Sequence, residues 1–273
     1  MRPAPATSAE VSPGVPGQGR LLPVDILQRV PWWGVALLIG GLLALYGILN
    51  SPVYIETYKF LASGIIITIE LAVSAYALGM VLGLIAALGQ LSKHPIPYTV
   101  SRLYIEIIRG IPLLVLLLYI AFVLTPTLAN LTGIRWFRND IVRATLGLGI
   151  GYGAYLAEIY RAGIESIPKG QTEAARSLGM TYGQSMRYII LPQAIRVILP
   201  PLANDFIAML KDSSLAMVIS VQELTYTGTL LRARTFRSFE VYNMVALLYL
   251  TMSLVGSVAV RGIERWAGKG IKH

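Results

Sequence analysis

Long apolar runs alternate with short polar stretches along this chain, and six of the runs are long enough to predict membrane-crossing helices. They are Val30 to Asn50, Phe60 to Leu91, about Val100 to Leu128, Ile141 to Ile164, Ala194 to Val221 and Val241 to Val260, since roughly 20 apolar residues cross a hydrocarbon core. The first opens with Trp32 and Trp33, residues suited to a membrane interface. The second is interrupted only by Glu70, which either faces a substrate or lies near the outer interface, and it spaces Gly79 and Gly83 for close helix approach. The third carries Glu106, Arg109, Gly110 and Pro112 near its start, so it is either kinked there or begins near Pro112. Glu106 and Arg109 stand at i, i+3 and are expected to pair. The fourth places Gly147, Gly149, Gly151 and Gly153 at alternate positions. This gives two small-residue faces, Gly147/Gly151 and Gly149/Gly153, suited to helix packing. The fifth reads as broken at Pro200–Pro201.

One polar stretch does not fit this pattern. Gln171 to Pro192 lies between apolar runs and reads as two short helices with a turn. Gly179 is the expected left-handed stop of the first helix. Thr181 and Gln184 have capping-box spacing at the start of the second, which is expected to end at Pro192. A helical pair this small cannot bury a core of its own and must lie against something else.

Composition agrees with a polytopic, all-α membrane protein. Hydrophobic residues make up 55% of the chain, charged residues 14%, and the mean hydropathy is +0.63, against about 25% charged in soluble domains. With no cysteine, disulfides and thiol catalysis are excluded, and two histidines, His94 and His273, argue against a metal site. The net charge of +9 suits cytoplasmic loops and anionic lipid better than nucleic acid. No G-x-x-x-x-G-K-[ST] phosphate loop, paired carboxylates, histidine cluster or nucleophile elbow is present, so no enzyme and no bound cofactor are expected. Placing the N-terminus inside puts about twice as many Lys and Arg in the cytoplasm as outside. The polar stretch is then cytoplasmic, and Arg232 to Arg237 is the weakest point of the assignment. Met1 to Arg20, rich in Pro, Gly and Ala, is expected to be disordered, with no cleaved signal peptide.

Ionisable groups within spans usually face a bundle interior or a watery cavity. Asn204, Asp205, Lys211, Asp212, Ser213 and Ser214 crowd one span, with Asn204/Lys211 and Asp205/Asp212 seven apart and sharing faces. Their mixed polarity would suit a zwitterionic solute; the alternative is structural pairing or a helix break. Glu158 is a further candidate for the path, and at i, i+3 it can also simply pair with Arg161.

Glu173 to Pro192, EAARSLGMTYGQSMRYIILP, fits the pattern EAA, three residues, Gly, nine residues, Ile-x-Leu-Pro without a gap. This resembles the cytoplasmic EAA loop of ABC importer permeases. The flanks YGAYLAEIYRAGIESIPKGQ and PQAIRVILPPLANDFIAMLKDSSLAMVIS, and IIRGIPLLVLLLYI from Ile107 to Ile120, resemble the polar amino-acid uptake branch. The resemblance covers about Phe60 to Arg265, with Ile111 standing where such permeases often have a hydroxylated residue. It implies a five-span importer core plus one extra N-terminal helix. The implied layout is a disordered cytoplasmic tail over 1–29, the extra helix over 30–50, and a permease domain over 60–265. Within that domain lies a coupling loop over 165–195, and a basic tail over 266–273 follows it. Glu173 is then a polar contact to the ATPase or to the loop backbone. Ala174 and Ala175 keep the helix thin enough for a groove, Gly179 makes the turn, and Leu191 and Pro192 join the hairpin to the next span. The implied partners are an ABC ATPase dimer holding ATP and Mg, a second permease copy or sister permease, an extracytoplasmic amino-acid-binding protein and membrane lipid. The implied place is the bacterial inner membrane. A passive channel or secondary transporter, and a membrane scaffold or enzyme with a soluble partner, are the competing classes.

Overall fold

The computed structural model describes residues 51–268, with side chains described as far as 262, together with residues 32, 39–41, 43, 46, 47 and 50. The tail expected over 1–29 and positions 269–273 of the basic tail lie outside the described residues. The chain divides into two units, residues 1–51 and 52–273. In the first, the described positions from 32 to 50 are helical, and Asn50 Nδ2 donates to the Tyr46 carbonyl at 2.8 Å.

The second unit is helical throughout, with no strand among the described residues. Helix α1 (Pro52–Gln90) has 39 residues, about 58 Å at 1.5 Å per residue, nearly twice a hydrocarbon core. α2 (Pro95–Gly110) is a separate helix from α3 (Leu113–Tyr119). Between them Ile111 is extended, φ −106° and ψ 131°, because the ring of Pro112 disfavours helical backbone in the residue before it. Of the two readings of the third span, the start near Pro112 is therefore the one observed. α3 continues through a π turn (Ile120–Leu124) into α4 (Thr125–Thr132), which ends at left-handed Gly133. Asn139 caps α5 (Asp140–Glu165), its Oδ1 accepting from the Ile141 and Val142 amides. The hairpin helices α6 (Lys169–Ser177) and α7 (Tyr182–Ser185) follow. A second π turn (Met186–Ile190) leads into α8 (Leu191–Asp212). A 3-10 turn (Ser213–Ile219), α9 (Leu224–Thr235) and α10 (Ser238–Gly268) complete the unit.

Two expectations need correction here. The second hairpin helix does not stop at Pro192: the Leu191 amide bonds to Met186 O, five residues back, and the helix runs on. The wide turn accommodates the missing proline N–H in the early part of a new helical segment, where it is tolerated. Nor is the fifth span broken at Pro200–Pro201, since both lie inside α8.

The packing centre is α1 against α5. Both glycine rows of α5 are packing faces, as their spacing predicts. A Cβ on Gly83 would stand 2.9 Å from Gly153 O and 2.9 Å from Leu156 Cβ, and one on Gly79 would stand 3.3 Å from Gly149 O. On the other face a Cβ at Gly147 would meet Leu117, and one at Gly151 would meet Leu113. The absent side chains let backbones approach, and dispersion does the rest. The outward face of α1 leaves Ile66, Val81, Ile85 and Leu88 exposed, as expected of a lipid-facing surface. Among the described residues, three helical runs, 52–90, 113–132 and 238–262, are long and apolar enough to cross a membrane.

Candidate functional site

The hairpin and a cavity beside α8 carry the candidate chemistry. In the hairpin, α6 ends in a Schellman turn. Gly179 sits at φ 84°, its amide bonds to Arg176 O at 2.9 Å, and the Met180 amide reaches back to Ala175 O at 3.2 Å. The capping box then forms as the spacing predicts: Thr181 Oγ1 accepts from the Gln184 amide at 3.3 Å, and Gln184 Oε1 accepts from the Thr181 amide at 2.8 Å. The backbone groups at the turn are thus satisfied locally, and the loop holds its shape without a partner. Ala175 faces inward and is buried, whereas Glu173 and Ala174 are exposed. Leu178 at the tip is 85% exposed. Leu191 and Pro192 open α8 on its exposed side.

The cavity, of about 230 Å³, is lined by Leu113, Tyr152, Tyr155, Asp205, Ala208 and Asp212. Seven residues apart on α8, Asp205 and Asp212 point into it from one face. Tyr152 donates its hydroxyl proton to Asp212 Oδ2 at 2.7 Å. The Tyr152 ring is held edge-on by Tyr76, whose other neighbour is Phe206 at 5.4 Å between ring centroids. Tyr76 in turn donates to the Leu202 carbonyl. Two carboxylates and tyrosine hydroxyls on an aromatic wall can hold an ammonium or another cationic head.

Other candidates are not brought to this cavity. Asn204 is exposed and donates back to Pro200 O at 3.2 Å, and Lys211 is on the exposed face of α8. Ser213 is buried with its hydroxyl donating to Leu210 O at 2.8 Å. Glu158 lines a second cavity, of about 330 Å³, near the junction of α5 with the hairpin, together with Gln90, Arg102, Arg109 and Arg161. It pairs with Arg161 at 2.7 Å, as i, i+3 spacing predicts, and Glu165 shares the same guanidinium. The expected Glu106–Arg109 pair is not formed. Glu106 is beside Arg102, 4.0 Å away one full turn back, and Arg109 stands over the ring of Tyr155, 5.6 Å from its centroid. Glu70 is exposed on α1. Sequence reasoning missed Tyr152 and Tyr155. Their i, i+3 spacing on the helix that leads to Glu158 was the available signal.

Comparison with known proteins decides the family. Residues 79–269 match the family described as binding-protein-dependent transport system inner membrane component. The chain belongs to this family. It is 37% identical over 220 residues to the probable amino-acid ABC transporter permease protein YckA of Bacillus subtilis, covering 80% of this chain and 93% of that one. It is 38% identical over 205 residues to the glutamine transport system permease protein GlnP of Escherichia coli, covering 75% and 91%. Among solved structures it resembles the crystal structure of an amino acid ABC transporter with histidines, at 40% identity and TM-score 0.70, covering 77% of this chain and 95% of that one. Inward-facing MetNI methionine ABC transporter, at 20% identity and TM-score 0.66, covers 78% and 98% and shares the fold. This permease is therefore a transporter subunit with the fold of the ABC importer permeases.

Proposed function

We propose that this permease is the transmembrane subunit of an ATP-driven importer for polar amino acids. In this reading five spans form the importer core, the segment 30–50 adds a sixth, and the N-terminus and the hairpin are cytoplasmic. The observation that carries the reading is the self-capped, exposed EAA hairpin. Its shape is fixed by Gly179 and the Thr181–Gln184 box, it is continuous with α8, and α8 carries the two carboxylates of the cavity. A displacement of the hairpin therefore has a rigid path to the cavity. ATP and Mg belong to a dimeric partner ATPase; Glu173 and Ala174, on the exposed side of α6, meet its groove, and Ala175, buried against this chain, seats the helix from behind. Leu191 and Pro192 transmit the motion into α8. A second copy or sister permease completes the pore, and an extracytoplasmic binding protein delivers the solute. The names of the relatives, among them glutamine and cystine permeases, support an amino-acid substrate. The sequence context of the EAA pattern supports the bacterial inner membrane.

The test is Gly179→Asp. Its Cβ has open space, so the fold should persist at a cost of about 1 kcal/mol for the left-handed backbone. The variant is expected to reach the membrane yet fail to retain its ATPase on copurification and fail to drive uptake in proteoliposomes. Normal ATP-dependent uptake by this variant would rule out the coupling role. Wild-type uptake that proceeds without ATP would favour the channel or secondary-transporter class instead.

A further inference from the structure

We propose that Arg109 is the group that takes the carboxylate of the transported solute, at the hairpin-side end of the cavity whose acidic residues take its ammonium. The inference rests on the amino-acid import reading above. A zwitterion offers one positive and one negative end, and the lining of the cavity answers only the first. Asp205 and Asp212 are acceptors for an ammonium, and among the described residues no Lys or Arg lines the cavity. Lys211, the cation nearest in sequence, is not among the lining residues and has no ring contact to the wall. Arg143 is engaged with Asp140 near the start of α5, and Arg161 is shared between Glu158 and Glu165.

Arg109 differs from all of these. Its guanidinium stands over Tyr155, whose side chain is part of the cavity wall. Exposed at the end of α2, it makes no hydrogen bond or salt bridge among the described residues, and the carboxylate within reach of its charge is Glu158, which is already engaged with Arg161. Stacking on a ring holds a guanidinium plane without using its N–H donors, so the edge of the fork remains available to a carboxylate. Its position is fixed by the backbone: it is in the last turn of α2, followed by extended Ile111 and Pro112, and Leu113 already lines the cavity. Tyr155 is one turn nearer the hairpin than Tyr152, which holds Asp212. Tyr155, Tyr152 and Asp212 thus line the cavity wall in series, and Arg109 stands behind the Tyr155 end of it, outside the lining itself. Arg109 also lines the second cavity, so a carboxylate on it sits between the two chambers, on the route toward the hairpin side.

The experiment uses the permease copurified with its ATPase, reconstituted in nanodiscs, and a radiolabelled panel of the common L-amino acids, each with its decarboxylated amine. The wild-type complex is expected to bind at least one amino acid about tenfold more tightly than the matching amine, the worth of a charge-assisted hydrogen bond. Arg109→Gln should erase this preference by weakening the amino acid and leaving the amine unchanged. Arg109→Lys, which keeps the charge and loses the planar fork, should retain part of it. Equal weakening of both ligands, as a merely structural arginine would give, overturns the proposal, and so does a preference left intact in Arg109→Gln. Should that variant not fold, Tyr155→Leu reads the same contact: a reduced preference supports the proposal and an unchanged one overturns it. Failure of the import reading itself looks different, as a wild-type complex that, reconstituted in proteoliposomes, takes up no amino acid with ATP and a periplasmic extract supplying binding protein. Wild-type uptake in proteoliposomes, together with no binding preference over the amine in nanodiscs, overturns Arg109 alone.

Discussion

At the scale of single residues, the same glycine count hides two kinds of position. Gly83 faces backbone: an added Cβ would stand 2.9 Å from Gly153 O and 3.1 Å from the Ala157 amide nitrogen, neither of which can yield as a side chain would. Gly83→Ala is expected to part α1 from α5 and cost about 1–3 kcal/mol, read as a lower unfolding temperature in detergent. Gly170 in α6 meets nothing within 4 Å, so Gly170→Ala should be neutral or stabilise by up to about 1 kcal/mol. Which kind each glycine is was legible in the sequence wherever two rows faced each other at four-residue spacing. The charges were legible only in part. Glu158 and Arg161 paired as their spacing predicts, with Glu165, one turn further along the same helix, sharing the guanidinium. Arg109 did not pair with Glu106, because Tyr155 of another helix offered its ring, and no local spacing records a contact across 46 residues. Asp205 and Asp212 kept the face that periodicity gave them, while Lys211 faced away. Uptake at matched expression should therefore fall about tenfold or more in Asp212→Asn, whose carboxylate is the one held by Tyr152. Lys211→Gln should change it little. The reverse order would remove α8 from the substrate path.

At the scale of elements, the chain solves the same problem twice. In each case five residues of π turn, one ordinary residue and a proline follow in order: Ile120–Leu124, Thr125, Pro126, and Met186–Ile190, Leu191, Pro192. The proline has no N–H to give the carbonyl that the wide turn presents to it. In the first copy the buried Thr125 hydroxyl fills that place, 2.9 Å from Ile120 O and 3.2 Å from Ala121 O. Thr125→Val keeps the shape and removes the donor, so it should cost about 1 kcal/mol and speed hydrogen exchange around Ala121. An unchanged exchange pattern would mean that the turn holds without it. Reading Pro192 as a helix end was a local inference and failed for a physical reason: a proline ends a helix only if the ladder cannot shift register before it. The hairpin caps, by contrast, depend on residues within five positions of each other and were legible.

At the scale of the whole molecule, the question is which end of the bundle faces the cytoplasm. α5 runs into the hairpin, and Gln90 at the far end of α1 donates to Glu158 near that same junction. The start of α1 is at the opposite end, where Glu56 lies 3.9 Å from Arg237, beside the loop that leads into α10. The structure thus separates the hairpin from the 232–239 region by the length of α1, and the positive-inside bias assigns the hairpin end to the cytoplasm. The cluster Arg232, Arg234 and Arg237 opposes that bias, which makes orientation the expectation most worth testing. The chain has no cysteine, so single cysteines report cleanly. Gly170→Cys has open space in α6, and Phe239→Cys replaces a side chain that is 73% exposed. A membrane-impermeant maleimide should label position 239 in right-side-out vesicles and position 170 only in inside-out ones. The opposite pattern would turn the whole bundle over and place the hairpin outside, where no ATPase could reach it. Labelling of both from one side would contradict the separation along α1 itself. The expected pattern would make the hairpin the cytoplasmic end of the bundle and the arginine cluster its outer end, with the length of α1 between them.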